Sequence, residues 1–359
     1  MPTIDLHRSG FDAGTQTKLE IFEKYLEAWL PTFINNPKCK SVYICDFFAG
    51  PGKDLNGNPG SPLIILDVIK QFEDSIREKG LRINILFNEL KKEKFNNLQS
   101  EVNEKFHKCS GISSLINVRY ENEAFDKLFQ DMSDQLRGEC NLFFIDQNGI
   151  KHMTANRIIE LEQFPRTDYL FFSASSYLKR FEFLEYFPDL EIGSEIRNHD
   201  MHRHLCDYYL KKIGPNGKTM LYPFTIKKGN IYGLIFGSKH VFGADKFLKI
   251  AWGKNPLNGE ANFDIDQEEG QIQYSLFELP KIKKVNQFKR NLKDWVLNKK
   301  IVTNSEIYFY TIRKGFIPTF ANNALKELRD EKKLDYFSHS LISYENVCKK
   351  KKIINFKVI

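Results

Sequence analysis

The order of apolar and polar positions over the first 253 residues changes repeatedly between helical and strand patterns. Residues 17–33 have apolar side chains three and four positions apart, which predicts an amphipathic helix. Five short apolar runs follow, separated by helical stretches, and each predicts a buried strand: 41–48, 81–89, 116–123, 141–149 and 167–175. Residues 222–238 hold two more apolar runs around Lys-Lys-Gly-Asn, which predicts a hairpin. This order predicts a doubly wound α/β fold with a mostly parallel, Rossmann-like sheet and an antiparallel edge hairpin.

The end of the chain has a different pattern. Three short amphipathic segments lie at 285–298, 304–315 and 319–334, and residues 335–347 can form two small strands. Three helices followed by a β-wing is the winged-helix plan, in which the third helix contacts the nucleic acid. An acidic, turn-rich stretch separates this part from the sheet. The predicted domains are therefore 1–253, a connector at 254–280, and a small winged-helix domain at 281–359.

Charge separates the two parts further. Residues 281–359 contain 19 Lys and Arg against 7 Asp and Glu, whereas the whole 359-residue chain has a net charge of only +7. A basic module on a near-neutral body predicts contact with nucleic acid. The alternative is a solvated lysine-rich tail, since four of the lysines form the run 349–352.

Composition limits the setting of the protein. No run of 18 apolar residues occurs, so we expect no membrane span, and the first residues lack the apolar stretch of a signal peptide. The six cysteines are scattered and never form CxxC, which is typical of reduced thiols. These features predict a cytoplasmic protein.

The first predicted strand ends in a turn that suits a cofactor. Asp46 is followed by the small or rigid residues Ala49, Gly50, Pro51 and Gly52. Small residues at the carboxyl end of a central strand let the backbone approach a ligand closely. Neither a P-loop nor a full GxGxxG motif is present. The pattern fits the acidic-residue-plus-glycines turn of S-adenosylmethionine-dependent methyltransferases, and the alternative is a tight βα turn without a ligand.

The next two strand ends extend this prediction. Glu89 ends the second strand, where a carboxylate can accept hydrogen bonds from both ribose hydroxyls. Asn122 and Glu123 follow the third strand, at the place where an adenine amino group would lie. Exposed acidic residues are common in loops, so the third strand end alone is weak support.

The fourth strand end provides the candidate catalytic groups. Asp146 follows an apolar run and would face the methyl group of the cofactor, where it can orient a substrate or accept a proton. Gln147 and Asn148 can hydrogen-bond a base edge, but they can equally form a turn. The Asp/Asn-Pro-Pro-aromatic motif of many amino-methylating enzymes is absent.

The loop after the first strand resembles a known family signature. Its sequence at 46–62, DFFAGPGKDLNGNPGSP, is similar to the D-x-F-A-G-P-G…G-x-G-S-P signature of the three-Cys-motif partner proteins. The resemblance covers most of 15–275, and the C-terminal segment resembles the winged-helix domain often fused to such proteins. It implies a class I methyltransferase fold, an S-adenosylmethionine pocket, and association with a radical-type protein that carries three cysteines. The pocket positions that it implies are Asp46, Ala49, Gly50, Pro51, Gly52 and Glu89.

Two positions qualify the resemblance. Lys18 matches a family lysine on the first helix, whose role is unclear. Gln147 departs from the family, since many members have Pro after the Asp, and this departure bears on the catalytic chemistry more than on the cofactor pocket.

Other groupings of reactive side chains are less convincing. His199, His202 and Cys206 share one face of a helix, but no fourth ligand has clear spacing, so we predict no metal site. Ser173, Ser175 and Ser176 follow the fifth strand without the GxSxG motif of a hydrolase. In the third helix of the basic module, one broad polar face suits base edges and phosphates: Asn322, Asn323, Lys326, Arg329 and Lys333.

Together these features predict an S-adenosylmethionine-dependent methyltransferase that acts on nucleic acid and docks through its basic module. The alternative is a non-catalytic, methyltransferase-like scaffold that binds nucleic acid or a radical-type partner protein.

Overall fold

The computed structural model describes residues 10–147, 149–179, 185–193, 195–228, 230–268, 283–299, 301–335 and 340–359. Contacts between residues divide the chain into two compact units, Met1–His240 and Val241–Ile359.

The first unit contains a seven-stranded sheet with the strand order β3-β2-β1-β4-β5-β7-β6. The strands are β1 (Ser41–Asp46), β2 (Arg82–Asn88), β3 (Ile116–Glu121), β4 (Asn141–Ile145), β5 (Thr167–Ser173), β6 (Met220–Lys228) and β7 (Asn230–Ser238). The first five run parallel, and β7 is antiparallel to both β5 and β6. The predicted Rossmann-like sheet with its edge hairpin is therefore confirmed. The sequence did not predict the order of the two hairpin strands in the sheet. The second of them, β7, lies between β5 and β6.

Helices cover both faces of the sheet. The helices of this unit are α1 (Ala13–Ile34), α2 (Ser61–Gln71), α3 (Glu73–Lys79), α4 (Lys92–Phe106), α5 (Phe125–Arg137), α6 (Ala155–Leu161) and α7 (Met201–Ile213). Shorter 3₁₀ segments lie at His107–Leu115 and Ser175–Lys179. The long first helix begins at Asp12, whose carboxylate accepts a hydrogen bond from the Thr15 amide at 2.7 Å.

Four consecutive residues of the central strand β4, Leu142 to Ile145, are apolar and buried. Phe144 stacks on Phe22 of α1, with ring centroids 4.2 Å apart. Its neighbour Phe143 points to the opposite face and packs edge-on against Phe129 and Phe164. Because successive side chains of a strand face opposite sides, a strand covered by helices on both faces needs apolar residues at every position.

The second unit contains four helices within its described residues, namely α8 (Val241–Lys254), α9 (Lys284–Lys299), α10 (Asn304–Arg313) and α11 (Pro318–Asp330). A small antiparallel sheet pairs β8 (Ile301–Thr303) with β9 (Asn355–Lys357), and an isolated bridge joins Leu334 to Val358. The C-terminal part of this unit is a winged helix-turn-helix domain.

The predicted wing strands at 335–347 differ from the structure in their described part. Residues 340–347 form bends that lead into a π-helical turn at Glu345–Lys349. The strand pairing instead joins β8, which lies between α9 and α10, to β9. The backbone of Ile342 hydrogen-bonds the side chain of Asn322, and Tyr344 stacks on Phe242 at 3.9 Å. These contacts hold the segment against helices, so it is not available for a strand ladder.

Helix α8 belongs to the second unit by its contacts, although the sequence analysis placed most of it in the first domain. Trp252 donates a hydrogen bond from Nε1 to the Gly315 carbonyl at 2.9 Å and packs against Phe316 and Phe320. The following residues turn back on themselves, and Nδ2 of the Asn255 side chain donates to the Ala261 carbonyl at 2.8 Å. The described part of the predicted connector is thus folded into this unit.

Among the described residues, no helix combines the length and the apolar character that crossing a membrane requires.

Candidate functional site

The candidate site lies where the winding of the sheet reverses. Strand β1 has β2 on one side and β4 on the other, and both neighbours run parallel to it. In open α/β sheets, the crevice at the carboxyl ends of two such strands is the usual ligand site. Asp46 ends β1 and Asp146 follows β4, so the topology brings both predicted residues to this edge.

Asp46 is wholly buried and only partly satisfied. Its Oδ1 accepts a hydrogen bond from the Phe48 amide at 3.3 Å, and the Ser61 hydroxyl hydrogen-bonds the same carboxyl group. Within the described residues, Oδ2 is buried without a hydrogen-bond partner. Burial raises the pKa of Asp46 to about 7, and the nearby carboxylates of Asp146 and Glu89 add to the rise, whereas the two hydrogen bonds lower it.

The glycine turn after β1 has a backbone that suits glycine. Gly50 and Gly52 have φ values of +65° and +94°, in the left-handed region that other residues rarely adopt. The Gly60 amide donates to the Gly52 carbonyl at 2.8 Å, and a Cβ on Gly60 would lie 2.9 Å from that oxygen. The turn is therefore closed tightly onto the start of α2.

The residues between Gly52 and Gly60 form a loop around the side chain of Asp54. Its carboxylate accepts hydrogen bonds from the Asn56 amide at 2.9 Å, from the Asn58 amide at 2.8 Å and from the Phe11 amide at 2.6 Å. Lys53, the first residue of this loop, forms an ion pair with Glu101 of α4 at 2.6 Å. These contacts hold the loop beside the candidate site.

Glu89 supports the glycine turn from the end of β2. Its Oε2 accepts the Gly50 amide at 3.1 Å, and its Oε1 accepts the Lys91 amide at 2.8 Å. Nδ2 of the Asn122 side chain donates to the carbonyls of Glu89 and Leu90 at 2.7 and 2.8 Å. This predicted residue therefore binds the backbone that carries Glu89. The structure thus brings Asp46, the glycine turn, Glu89 and Asn122 together.

The side chain of Glu123 contacts α5 instead of the residues around Asp46. Its carboxylate pairs with Lys127 of α5 at 2.9 Å, and both side chains are exposed. Its backbone amide is held by the side chain of Asn88 at 3.1 Å. Glu123 reaches the same edge of the sheet through its backbone, while its charge is paired on the surface.

Asp146 forms an ion pair with Lys18 of α1 across 128 residues of sequence. The Lys18 ammonium also lies 4.9 Å from the ring centroid of Phe172 at the end of β5. Its side chain is 10% exposed and that of Asp146 is 23% exposed, so the pair is screened by protein but still reachable. The lysine that the resemblance left without a role therefore contacts the predicted catalytic carboxylate.

Gln147 is buried, and both ends of its amide are engaged with backbone. Nε2 donates to the Phe172 carbonyl at 3.0 Å, and Oε1 accepts the His152 amide at 2.9 Å. In this structure the side chain links β5 to the segment that follows β4, and both ends of its amide are occupied by backbone groups. Asn148, the third predicted catalytic residue, lies outside the described residues.

Two residues that the sequence analysis missed hold the site together. Asn88 is buried; its Nδ2 donates to the carbonyls of Phe47 and Glu123, and its backbone carbonyl accepts the Ala49 amide at 2.8 Å. Ser61 is the first residue of α2, which has Gly60 as its N-cap residue, and the Ser61 hydroxyl hydrogen-bonds Asp46. A polar residue within an otherwise apolar strand end was the available signal for Asn88.

The His/Cys face of α7 has a structural explanation. His202 is fully buried, with Nε2 2.8 Å from the Leu234 carbonyl and Nδ1 3.2 Å from the Ser175 hydroxyl. Burial lowers the pKa of His202 to about 4, although its hydrogen bond to the Leu234 carbonyl opposes the change. Among the described residues, no group of three or more His, Cys, Asp or Glu side chains is placed to hold a metal ion.

The predicted nucleic-acid residues lie on α11 or, for Lys333, just after its end, and three of them contact other groups of the protein. Asn322 donates to the Pro318 and Ile342 carbonyls at 2.9 Å each, Arg329 hydrogen-bonds Asp330 at 2.8 Å, and Lys333 pairs with Glu331 at 2.8 Å. Asn323 and Lys326 are exposed. Lys333 is exposed as well, so three of the five predicted residues are presented to solvent.

The acidic residues of α11 are paired along one flank. Glu327 forms ion pairs with Lys289 and Lys293 of α9 at 2.8 and 2.7 Å. Lys293 also reaches Glu331 at 3.3 Å. Two acidic side chains that would oppose phosphate binding are thus neutralised by the neighbouring helix.

Comparison with known proteins bears mainly on the second unit. Residues 262–340 match the family model of the GMT-like wHTH domain. The C-terminal part is similar to that domain. No curated protein sequence matches the chain significantly.

Two solved structures are among those that match. One is Trm1 from Pyrococcus horikoshii in complex with S-adenosyl-L-methionine, at 9% identity and a TM-score of 0.39, covering 67% of this chain and 59% of that one. The other is a protein of the NADB-Rossmann superfamily from Streptococcus agalactiae, at 10% identity and a TM-score of 0.29, covering 89% of this chain and 96% of that one.

Proposed function

We propose that the chain binds S-adenosylmethionine at the carboxyl edge of β1 and β4 and transfers its methyl group to a nucleic acid. The observation that carries this proposal is the Asp46 carboxylate, which is wholly buried with one unpartnered oxygen at the point where the sheet reverses. Leaving a buried polar atom unpaired is costly, so a ligand that supplied the missing hydrogen bond would be favoured here.

The residues at this edge fit the chemical groups of the cofactor. The amino group of S-adenosylmethionine is a cation, and Oδ2 of Asp46 would accept its hydrogen bond. Gly50 and Gly52 let the backbone come close to the amino-acid part of the cofactor. Each oxygen of Glu89 accepts one backbone amide and can accept a second hydrogen bond, from a ribose hydroxyl. Ala49 and Pro51 would complete the turn, and Asn122 and Glu123 would lie on the adenine side.

The bound cofactor would supply an electrophilic methyl group, and the chain's own residues would present the acceptor. Asp146 would orient the acceptor or take its proton, and the ammonium of Lys18 holds that carboxylate in place. Gln147 would act through its backbone contacts as a positioning residue, and Asn148 stays a prediction.

The second unit supports a nucleic-acid substrate. Residues 281–359 have 12 more basic than acidic side chains, and the winged-helix domain places Asn323 and Lys326 on an exposed helix face. The remaining predicted contacts, Asn322, Arg329 and Lys333, would act after exchanging their internal partners.

The cofactor site is tested by calorimetric titration with two ligands. S-adenosylhomocysteine carries the amino-acid part, and methylthioadenosine lacks it. We expect Asp46→Asn to weaken S-adenosylhomocysteine about tenfold or more, which is the effect of losing one charge-assisted hydrogen bond, and to leave methylthioadenosine unchanged. Wild-type affinity for S-adenosylhomocysteine rises with pH through about 7, as Asp46 loses its proton.

The matched control is Asp74→Asn, which removes a carboxylate that is 92% exposed on α3. Equal binding of S-adenosylhomocysteine by the wild type and Asp46→Asn would overturn the pocket assignment. So would the absence of binding by the wild type.

The contacts of the two residues that follow β4 support a second function. Gln147 is buried against backbone and Asp146 is neutralised by Lys18, so this edge is also compatible with a scaffold that binds nucleic acid without transferring a methyl group. The resemblance to three-Cys-motif partner proteins adds a radical-type protein as a proposed partner of such a scaffold.

Methyl transfer from labelled cofactor to cellular RNA and DNA separates the two functions. Under the methyltransferase proposal, Asp146→Asn and Lys18→Met keep cofactor affinity and lose transfer. Under the scaffold proposal, the wild type binds nucleic acid and transfers no label.

A further inference from the structure

An open cavity of about 550 Å³ in the second unit is lined by residues of α9 and α10. Its lining includes three aromatic and two basic side chains, namely Trp295, Phe309, Tyr310, Arg313 and Lys314. The volume is within the range of about 300–1,000 Å³ that is usual for ligand sites. The cavity therefore combines aromatic rings with positive charge.

Two of these rings continue an aromatic stack that begins in the core of the unit. Phe288 and Phe316 are buried, and their ring centroids are 4.1 Å apart. Tyr310 stacks on Phe288 at 6.3 Å, and Trp295 stacks on Tyr310 at 4.8 Å with ring planes 12° apart. Because the inner rings are packed in the core, they fix the outer ones. A planar ligand would meet rings that are already in place, which lowers the cost of binding.

Partial exposure distinguishes Trp295 from the other two tryptophans of the chain. Trp29 and Trp252 are 2% and 3% exposed, whereas Trp295 is half-buried. Phe309 is half-buried as well. Aromatic side chains that remain accessible beside a cavity are typical of binding surfaces.

The basic side chains of the cavity can reach a ligand, whereas its carboxylate is already engaged. Arg313 and Lys314 are exposed, and neither pairs with another described side chain. Glu306 accepts hydrogen bonds from the amide and the hydroxyl of Thr303 at 2.8 and 3.0 Å, and it pairs with Lys299 at 2.7 Å. The charge left for a ligand is positive, which suits phosphate groups.

The Lys299 ammonium also lies over the Trp295 ring, 4.9 Å from its centroid. Stacking of a nucleobase on an aromatic side chain is generally stronger than a cation–π contact at an exposed site. A base can therefore displace this ammonium, which would remain close enough to contact a phosphate.

A smaller cavity of the same unit, of about 320 Å³, has a different lining. It lies beside α9 and α11, and its described lining has no aromatic ring. Two of its lysines, Lys289 and Lys293, pair with Glu327. Its exposed Arg290 provides a matched control, because this residue carries the same charge as Arg313 without an aromatic neighbour in the cavity.

We propose that the larger cavity binds an unpaired base of a single-stranded nucleic acid. The base stacks on the aromatic side chains of Trp295 and Phe309, and Arg313 and Lys314 contact the adjoining phosphates. A base inside a duplex is stacked on its neighbours and cannot enter. The inference rests on the proposed binding of nucleic acid and is independent of methyl transfer.

The test compares oligothymidylate with an abasic strand of equal length and charge. We expect the full-length protein to bind oligothymidylate about tenfold more tightly, because only this strand can stack. Fluorescence anisotropy of the labelled strands measures both affinities. Oligothymidylate should also quench the tryptophan emission, since Trp295 is the accessible tryptophan and the other two are buried.

Variants separate stacking from charge. Trp295→Ala and Phe309→Ala should each remove most of the preference for oligothymidylate, whereas Trp295→Phe keeps a ring and should retain it. Arg313→Gln should weaken both strands and reduce the dependence of binding on salt concentration. The control Arg290→Gln should keep the preference. Circular dichroism melting verifies that each variant is folded.

Equal affinity of the wild type for the two strands would overturn the inference, as would an unchanged preference in both Trp295→Ala and Phe309→Ala. A short duplex distinguishes this failure from failure of the proposed function. Binding of the duplex without any preference between the single strands would overturn the base site alone. Binding of no nucleic acid would overturn the base site together with the proposed nucleic-acid substrate.

Discussion

Asp46 and His202 are both wholly buried, and burial moves their pKa values in opposite directions. The pKa of Asp46 rises to about 7 and that of His202 falls to about 4, because burial disfavours the charged form of each. The imidazole is neutral and hydrogen-bonded at both nitrogens, whereas the carboxyl group keeps one oxygen unpartnered within the described residues. His202 therefore serves the fold, and Asp46 is the residue whose burial needs a functional reason.

Removing the Asp46 charge should stabilise the ligand-free protein. A folded-state pKa above the unfolded value means that stability from this group falls as pH rises from about 4 to 7. Asp46→Asn removes that loss, so at pH 8 we expect it to be more stable by a few kcal/mol, at most about 4. Urea unfolding at several pH values measures this, and the gain should vanish near pH 4. A variant less stable than the wild type at pH 8 would contradict the argument.

His202 should give the opposite pH dependence. Its folded-state pKa is below the unfolded value of 6.5, so the stability it contributes is complete above about 6.5 and is lost as pH falls toward 4. The loss is at most about 3 kcal/mol. We expect His202→Gln to unfold at lower urea concentration at pH 7 and to lose this acid dependence. His204→Gln, on the same helix, is the control and should keep the wild-type profile.

At the scale of elements, local and distant contacts were not equally predictable. The turn from Asp46 to Gly60 follows from residues adjacent in sequence, so its glycine conformations and position after β1 could be predicted. The Lys18–Asp146 ion pair could not be predicted, because its two residues are 128 positions apart in sequence and come together only in the folded sheet. The same applies to Asn88, whose partners lie at the ends of two other strands. The sequence therefore predicted which strand ends come together, but not the side-chain contacts between them.

Two glycines of the turn allow a matched test of its tightness. Gly52 and Gly57 both have positive φ, but a Cβ on Gly52 would lie 3.1 Å from Cβ of Glu101, whereas a Cβ on Gly57 would meet nothing within 4 Å. Each change to Ala costs about 1 kcal/mol or more for the left-handed backbone. Gly52→Ala should cost more than Gly57→Ala and should also displace the turn. Urea unfolding compares the two, and equal losses would contradict the crowding argument.

At the scale of the whole molecule, the division after His240 assigns α8 to the basic unit. The sequence analysis placed the boundary near residue 253 because the composition changes there. Composition reports charge and turn content, whereas the unit is held by aromatic contacts that composition does not reveal, such as those of Trp252 and Phe242.

Fragments of the chain test where the basic unit begins. We expect the fragment 241–359 to melt cooperatively and the fragment 255–359 to be much less stable, because it lacks the Trp252 contacts with Gly315 and Phe320. Losing a buried Trp side chain typically costs about 3–5 kcal/mol. Circular dichroism melting measures the difference, and Trp252→Ala in the longer fragment should reproduce much of it. Equal melting of the two fragments would favour the boundary near 253.

The place of β7 between β5 and β6 has a consequence for synthesis on the ribosome. Strand β6 emerges before β7, yet its partner in the sheet is β7, so residues 220–228 wait with both edges unpaired. The edge of β5 stays open over the same interval, because β7 also covers it. Unpaired strand edges are templates for association with other chains. A pause at the stage when residues up to Lys228 have left the ribosome should therefore leave the nascent chain at its most aggregation-prone. The next ten residues then cover the edge of β5 and one edge of β6 together.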